Sequence, residues 1–428
     1  MKTMLIEFRL KNYASFKNEA ILSAQTGERL YKYKDTNTFQ GKDVSLLKNL
    51  LIFGPNGAGK SRLLRGLDVM KHLVLNGGAK AVTDPLIYTP FIFNERNQHE
   101  DTTFGIVIQF NKQIYDYSFS YNNEQISTEK LVLINGDKEE TYFERTGQDF
   151  SIIPDNLKDL IPRLRKNALF LFLAQQNNDS PASDIYKWFA EDLSIILSGN
   201  HVIIDKEFAE LLKNKQIKDE LLSFLQAADF NISDITVRNI PYSTGSDPLD
   251  TSPRTVPMLF TSHKVYNDDG DLLGQAELPL TEESDGTKRI LYIALVILDA
   301  QMHGNHRTIL FDEFDSSLHP ELARTLIQIF NSKENLNQFI LTTQDVQLLD
   351  NPIRIDQIYL VDKNFQGVSD LKSVFDFSNP RTSGRLDVNL AKKYIEGKFG
   401  SMPVVDTEGL MDILQEIHKG TDNEKTKE

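Results

Sequence analysis

Apolar and polar residues alternate at the start of the chain, with Ile6, Phe8 and Leu10 set against Glu7, Arg9 and Lys11. A period of two predicts a strand with one buried face. A second strand is expected over residues 19–24. The run Leu50-Leu51-Ile52-Phe53 does not alternate, which suits a strand buried on both faces of a sheet. Residues 61–75 change to helical spacing, with Leu63, Leu67, Met70 and Val74 on one side, and Gly77-Gly78 supplies a stop. Period two returns from 104 to 144, where Tyr115, Tyr117, Phe119 and Tyr121 alternate with Asp116, Ser118 and Ser120. Asn135-Gly136 between two apolar runs marks a hairpin, so a small antiparallel sheet is predicted.

Residues 156–228 read as helices, over 157–173, 183–197 and 205–225, with Trp188 as a core anchor beside Phe189. Asp184, Glu191 and Asp192 fall at helical spacing and read as a solvated face. Residues 240–257 are rich in Pro, Ser, Thr, Asp and Gly and read as a loop. Strands are expected at 258–265 and 272–278, then a helix at 286–301, a buried strand at 308–311, a helix at 320–331 and a strand at 338–343. The charged residues 420–428 are expected to be disordered. No heptad pattern is sustained, which excludes a long coiled coil. The pattern predicts an α/β fold in four parts. Residues 1–150 form a first lobe, 151–254 a mainly helical insertion, 255–380 a second lobe, and 381–428 a C-terminal element with a tail.

Of the 428 residues, 40% are hydrophobic and 25% charged, as in an ordinary globular protein. The net charge of −14 argues against a diffuse nucleic-acid-coating surface. The basic runs Arg163-Leu164-Arg165-Lys166 and 213–218 read as helix surface charge. Cysteine is absent, so disulfides, thiolate nucleophiles and thiolate-bound zinc are excluded. No apolar run approaches the ~18 residues of a membrane span, and the N-terminus, carrying Lys2, Glu7 and Arg9, has no apolar signal core. A cytoplasmic protein without membrane contact is expected.

Candidate chemistry begins at Gly54-Pro55-Asn56-Gly57-Ala58-Gly59-Lys60-Ser61, which matches GxxxxGK[ST] between a buried strand and an amphipathic helix. That context lets successive backbone N–H groups face a phosphate, with the helix N-terminus adding partial positive charge. Asn56, Gly57, Ala58, Gly59, Lys60, Ser61 and Arg62 are the expected ATP-binding run. Lys60 would reach the β- and γ-phosphates, and the Ser61 hydroxyl would ligate Mg²⁺. Ile309-Leu310-Phe311-Asp312-Glu313 is a second buried strand, one that ends in two acids. Asp312 would hold the Mg²⁺ shell, and Glu313 would orient or deprotonate the attacking water.

The run Phe311 to Pro320, with its Leu318-His319-Pro320 ending, resembles the acidic motif and D-loop of ABC-type ATPases. His319 reads as structural, supporting the loop into the next helix. Glu283-Ser284-Asp285-Gly286-Thr287-Lys288-Arg289 resembles a divergent ABC signature. The resemblance implies an ABC-type P-loop ATPase head with an antiparallel β lobe and a helical insertion. It implies that Ser284, Gly286 and Thr287 meet the γ-phosphate of ATP held by a second copy. ATP would then sit between two heads of a homodimer, with larger assemblies built from such dimers. Where this family places a histidine after the following strand, the chain has Gln344. A glutamine carries no charge, so slow ATP hydrolysis is expected. No residue is assigned to the family's Q-loop glutamine.

The distance between phosphate loop and acidic strand exceeds what a transporter head needs. The opening Leu10-Lys11-Asn12-Tyr13-Ala14-Ser15-Phe16 is similar to that of SMC- and RecF-like ATPases. Together with the signature variant, the Leu-His-Pro loop and Tyr394 to Pro403, it resembles the RloA/AbiL-like bacterial group, related to the ATPase subunits of the Septu and PARIS anti-phage systems. That resemblance implies a sensor and scaffold ATPase controlling a separate nuclease effector of Toprim or HNH type, in response to a phage trigger. Two other readings stand beside it: a RecF/SMC-like DNA-repair ATPase that binds nucleic acid directly, and an interaction protein with a dead nucleotide site. Intact Lys60, Asp312 and Glu313 oppose the last.

Overall fold

The computed structural model describes residues 3–40, 44–79, 81–198, 206–242, 254–302, 304, 306–377, 390–400 and 406–413. Two sheets carry the fold. The first is antiparallel and seven-stranded, in the spatial order Asp149–Ile152, Lys138–Thr146, Ile126–Asn135, Gln113–Tyr121, Thr102–Phe110, Thr3–Lys11 and Ala20–Ser23. Tyr115, Tyr117, Phe119 and Tyr121 all point to its buried face, as their alternation predicts. The Gly136 turn has φ 60° and closes the predicted hairpin.

The second sheet has six strands in the order Leu193–Ile196, Thr308–Phe311, Gln338–Thr342, Asn49–Phe53, Ile358–Lys363 and Ser369–Ser373. Every neighbouring pair is parallel except the last. Helix Lys60–Asn76 lies between the two sheets, and Gly77 ends it in the left-handed conformation. The Leu50 and Ile52 side chains join the core that this helix shares with the antiparallel sheet. Leu51 and Phe53 join a second core on the opposite face, built with helices Asp285–Met302 and Pro320–Phe330. The unbroken apolar run at 50–53 therefore serves two cores at once.

Two buried glutamines pin the layers together. The Gln338 amide donates to the Leu5 carbonyl and accepts from the Leu5 N–H where the first strand breaks register. The Gln357 amide donates to the Asn49 carbonyl and to the Asn331 side chain, and accepts from the Asn37 side chain. At the other end of the antiparallel sheet, Glu129 and Arg145 form an ion pair with both side chains 0% exposed. Glu129 also accepts from Tyr117 Oη and from the backbone N–H groups of Phe170 and Leu171, so it caps helix Phe170–Gln176.

The region 151–254 departs from the expected row of helices. The span 157–173 is a 3₁₀ helix, Asp155–Arg163, followed separately by Phe170–Gln176. Pro162 lacks the N–H that an α-helix would use there. The span 183–197 is a helix to Lys187, a π turn over Trp188–Asp192, and then the strand Leu193–Ile196, the edge of the parallel sheet. Trp188 is fully buried against Phe189, as expected. Residues 205–225 divide into helices Lys206–Leu211 and Lys215–Ala227. Strands Asp234–Tyr242 and Arg254–Tyr266 enter the expected loop at 240–257 from both sides, and its middle, 243–253, lies outside the described residues. With Leu272–Pro279 they form a separate three-stranded sheet. The solvated face expected of Asp184, Glu191 and Asp192 holds only in part. Asp184 accepts from Tyr115 Oη, and burial raises Asp192 to a pKa of about 6 against the pull of Arg307.

Tyr394 packs on Phe53, immediately before the phosphate loop, and Phe399 packs on Phe377. The predicted tail at 420–428 lies outside the described residues. No helix among those residues is long and apolar enough to cross a membrane.

Candidate nucleotide site

The phosphate loop leaves strand Asn49–Phe53 at its C-terminal end and runs into helix Lys60–Asn76. Gly59, with φ 123°, is the helix N-cap. A Cβ there would lie 2.6 Å from Ser369 Oγ and 3.0 Å from Ser15 Oγ, so only glycine fits. Ser369 Oγ donates to the Ala58 carbonyl at 2.5 Å and its N–H to the Ser15 carbonyl at 2.8 Å, holding the loop from behind. Asn56, Gly57 and Arg62 are exposed, while Ala58 and Gly59 are buried. Lys60 is 7% exposed and donates to the carbonyls of Gly54 at 2.7 Å and Pro55 at 3.2 Å. Burial lowers its pKa, and the nearby Glu313, Asp312 and Asp315 carboxylates oppose that shift.

The two halves of the sequence-predicted site meet at one contact. Ser61 Oγ donates to Asp312 Oδ1 at 3.0 Å, across 251 positions of sequence. The sheet order explains it: strand Gln338–Thr342 alone separates the acidic strand from the phosphate-loop strand, and all three end on the same side. Parallel strands direct the residues after their C-terminal ends into one crevice. Asp312 is 1% exposed, and Thr342 Oγ1 also donates to its Oδ1, at 2.6 Å. Ser198 Oγ donates to Oδ2 at 2.6 Å.

Glu313 follows with φ 49°, an uncommon backbone conformation for a residue with a side chain. Its N–H donates to Thr342 Oγ1 at 2.7 Å. Arg289 Nη2 donates to the carbonyls of Asp312 at 2.8 Å and Glu313 at 2.9 Å. Burial lowers the Arg289 pKa, and the carboxylates of Asp312, Asp315 and Glu313 counter it. Burial raises the Asp315 pKa, against a hydrogen bond with Thr343. Gln344 is exposed just beyond the end of strand Gln338–Thr342, on the same side as Asp312 and the phosphate loop. His319 is the N-cap of helix Pro320–Phe330, the structural place expected of it.

Ser284, Gly286 and Thr287 lie at the start of helix Asp285–Met302. Ser284 Oγ accepts from the Thr287 N–H at 3.1 Å. Gly286 lies so close to the Asp315–Pro320 loop that a Cβ would be 2.7 Å from the Ser317 carbonyl oxygen. Ser284 itself is exposed. Among the described residues, no hydrogen bond joins these three to the phosphate loop of their own chain. Glu283 is tied to the three-stranded sheet by Thr261 Oγ1 and by His263 Nε2.

Ser198, Thr342 and Ser369 surround the site without having been expected there. Of these, only Thr342 carried a signal, because it lies in an apolar strand beside the position of Gln344. Ser15 and Arg289 lie in the opening and signature runs that the sequence singled out, where neither had a role assigned to it. The groups at the Ser61–Asp312 contact are hydroxyl and carboxylate oxygens, which would suit a hard ion such as Mg²⁺. Among the described residues, no group of three or more His, Asp or Glu gathers to hold a metal, so a cation at Ser61 and Asp312 would need phosphate and water oxygens to complete its shell.

A family model described as "AAA domain, putative AbiEii toxin, Type IV TA system" matches residues 50–350. The chain belongs to this AAA family. The match begins in the phosphate-loop strand and ends beyond Gln344, so it contains every predicted site residue. As a member, the chain is an ATPase of the AAA class. No curated protein matches the sequence. Solved structures similar to it include an SMC head bound to the C-winged helix domain of ScpA, at 15% identity and TM-score 0.40, covering 86% of this chain and 97% of that one. The SMC head domain from Thermotoga maritima has 15% identity, TM-score 0.38 and coverages of 86% and 98%. An Smc head with an extended coiled coil, bound to the C-terminal domain of ScpA derived from Pyrococcus furiosus, has 14% identity, TM-score 0.41 and coverages of 88% and 98%. Nothing about function follows from likenesses at these levels.

Proposed function

We propose that the chain is an ABC-type ATPase head that encloses Mg²⁺·ATP between two copies of itself. The observation that carries this is the Ser61–Asp312 contact, which places a hydroxyl and a carboxylate beside Lys60 where a Mg²⁺-bound triphosphate needs them. Lys60 would transfer its hydrogen bonds from the loop carbonyls to the β- and γ-phosphates. Mg²⁺ would supply charge neutralisation at the phosphates, with Ser61 and Asp312 holding it. Glu313 would orient the attacking water. Gln344 would add a neutral hydrogen bond where a charged imidazole would stabilise more charge, which favours slow turnover. Ser284, Gly286 and the helix behind them present N–H groups to a phosphate on a second copy.

In the cell, the proposed role is that of a sensor and scaffold for bacterial anti-phage defence, licensing a separate nuclease of Toprim or HNH type. The family description, which names a putative AbiEii toxin and a Type IV TA system, supports that setting. The net charge of −14 supports a protein partner over direct nucleic-acid binding. The test is the solution mass of a Glu313→Gln variant with and without Mg²⁺·ATP. The proposal expects ATP to convert monomer to a stable dimer, or to lock a larger assembly. A mass and stability indifferent to ATP would refute it. Tight DNA binding with a steep salt slope would move the assignment to repair.

A further inference from the structure

Asp312 is enclosed by hydroxyls from three separate parts of the chain. Ser61 and Thr342 donate to Oδ1, from the phosphate-loop helix and the strand beside the acidic one. Among the described residues, Oδ2 is held from one place, Ser198, through its hydroxyl at 2.6 Å and its backbone N–H at 3.4 Å. Ser198 stands just past the edge strand Leu193–Ile196, whose Ile196 carbonyl accepts from the Asp312 N–H at 2.8 Å. The segment expected to be an insertion helix is thus tied to the carboxylate by both backbone and side chain.

We propose that Ser198 is a positioning residue for the metal site, fixing the plane of the Asp312 carboxylate so that Oδ1 stays aimed at Ser61. A buried carboxylate has a free torsion about its Cβ–Cγ bond, and donors on Oδ1 alone leave that torsion weakly held. A donor on Oδ2 locks it. Hydrogen bonds of this kind behind a ligating carboxylate raise metal affinity by preorganisation. Thr342 shares the task but also accepts from the Glu313 N–H, so its loss would disturb two groups. Among the described residues, the hydrogen bonds of Ser198 go to Asp312 alone.

The inference rests on the nucleotide reading above, and one titration separates the two. Mn²⁺ binding to the full-length protein is followed by electron paramagnetic resonance in the presence of a non-hydrolysable ATP analogue. Affinity for the analogue is measured in parallel in EDTA. Ser198→Ala is expected to weaken Mn²⁺ binding by about tenfold or more, with analogue affinity in EDTA unchanged and with Ser198→Thr close to wild type. Mn²⁺ affinity equal to wild type in Ser198→Ala overturns the proposal, as does an equal loss of analogue in EDTA. A wild-type protein that takes up neither analogue nor Mn²⁺ refutes the nucleotide reading, and the role of Ser198 with it.

Discussion

At the scale of single residues, the site is a set of oxygen atoms and N–H groups held by the backbone around them. Arg289 shows how. Its guanidinium ties the carbonyls of Asp312 and Glu313 to the signature helix, while Glu313 holds a left-handed backbone conformation. Charge-assisted hydrogen bonds of this kind are worth ~1.5–3 kcal/mol. Arg289→Ala is therefore expected to cut kcat by roughly ten- to a hundredfold while ATP binding to the Lys60 loop persists; equal losses in both would place Arg289 in the fold alone. Gln344→His is expected to raise turnover, by restoring a group able to carry charge. Asp192 makes a prediction about stability. Its pKa is raised by burial to about 6, so the folded state holds its proton more tightly than the unfolded chain. That contribution is complete below the normal carboxyl range and is lost as pH rises through about 6. Asp192→Asn should therefore stabilise the protein at pH 8 and leave it little changed near pH 4, as read by denaturant unfolding. The phosphate-loop and acidic-strand residues were legible because phosphate chemistry demands fixed types at fixed spacing. Arg289 was legible only as the end of the signature run, with no role of its own, and Ser198 was not, because a lone serine carries no such pattern.

At the scale of elements, the alternating and fully apolar strands were readable, and so was the helix after the phosphate loop. The strand Leu193–Ile196 was not. Leu193, Ile195 and Ile196, following Trp188 and Phe189, satisfy helical spacing as well as strand burial. Pairing with Thr308–Phe311 decides between them, and that partner is distant in sequence. The break at 164–169 follows the same logic: Pro162 and the Asn167 bonds to the 81–84 segment outweigh the apolar period. Within the antiparallel sheet, Glu129 and Arg145 are buried together and satisfied by five further partners. Glu129→Ala leaves a buried guanidinium without its counter-charge and two helix N–H groups uncapped. A loss of about 3–5 kcal/mol is expected in unfolding measurements. A loss below 1 kcal/mol would show that the lobe relaxes around the charge.

At the scale of the whole molecule, the phosphate loop and the signature of one chain belong to different faces of the proposed assembly. Gly286 lets the signature helix approach the acidic loop of its own chain and Arg289 bonds it there, while Ser284 remains exposed. Binding of a second copy's phosphate at Ser284 would therefore reach Glu313 through the helix and Arg289. The central claim is that each complete site takes Lys60 from one copy and Ser284 from the other. Mixing two inactive variants, Lys60→Ala and Ser284→Arg, tests it. The mixture can form heterodimers in which one of the two sites has both native residues. ATP hydrolysis in the mixture, absent from either variant alone, is the predicted result; a mixture as inactive as its components, or a Ser284→Arg protein active alone, would contradict it.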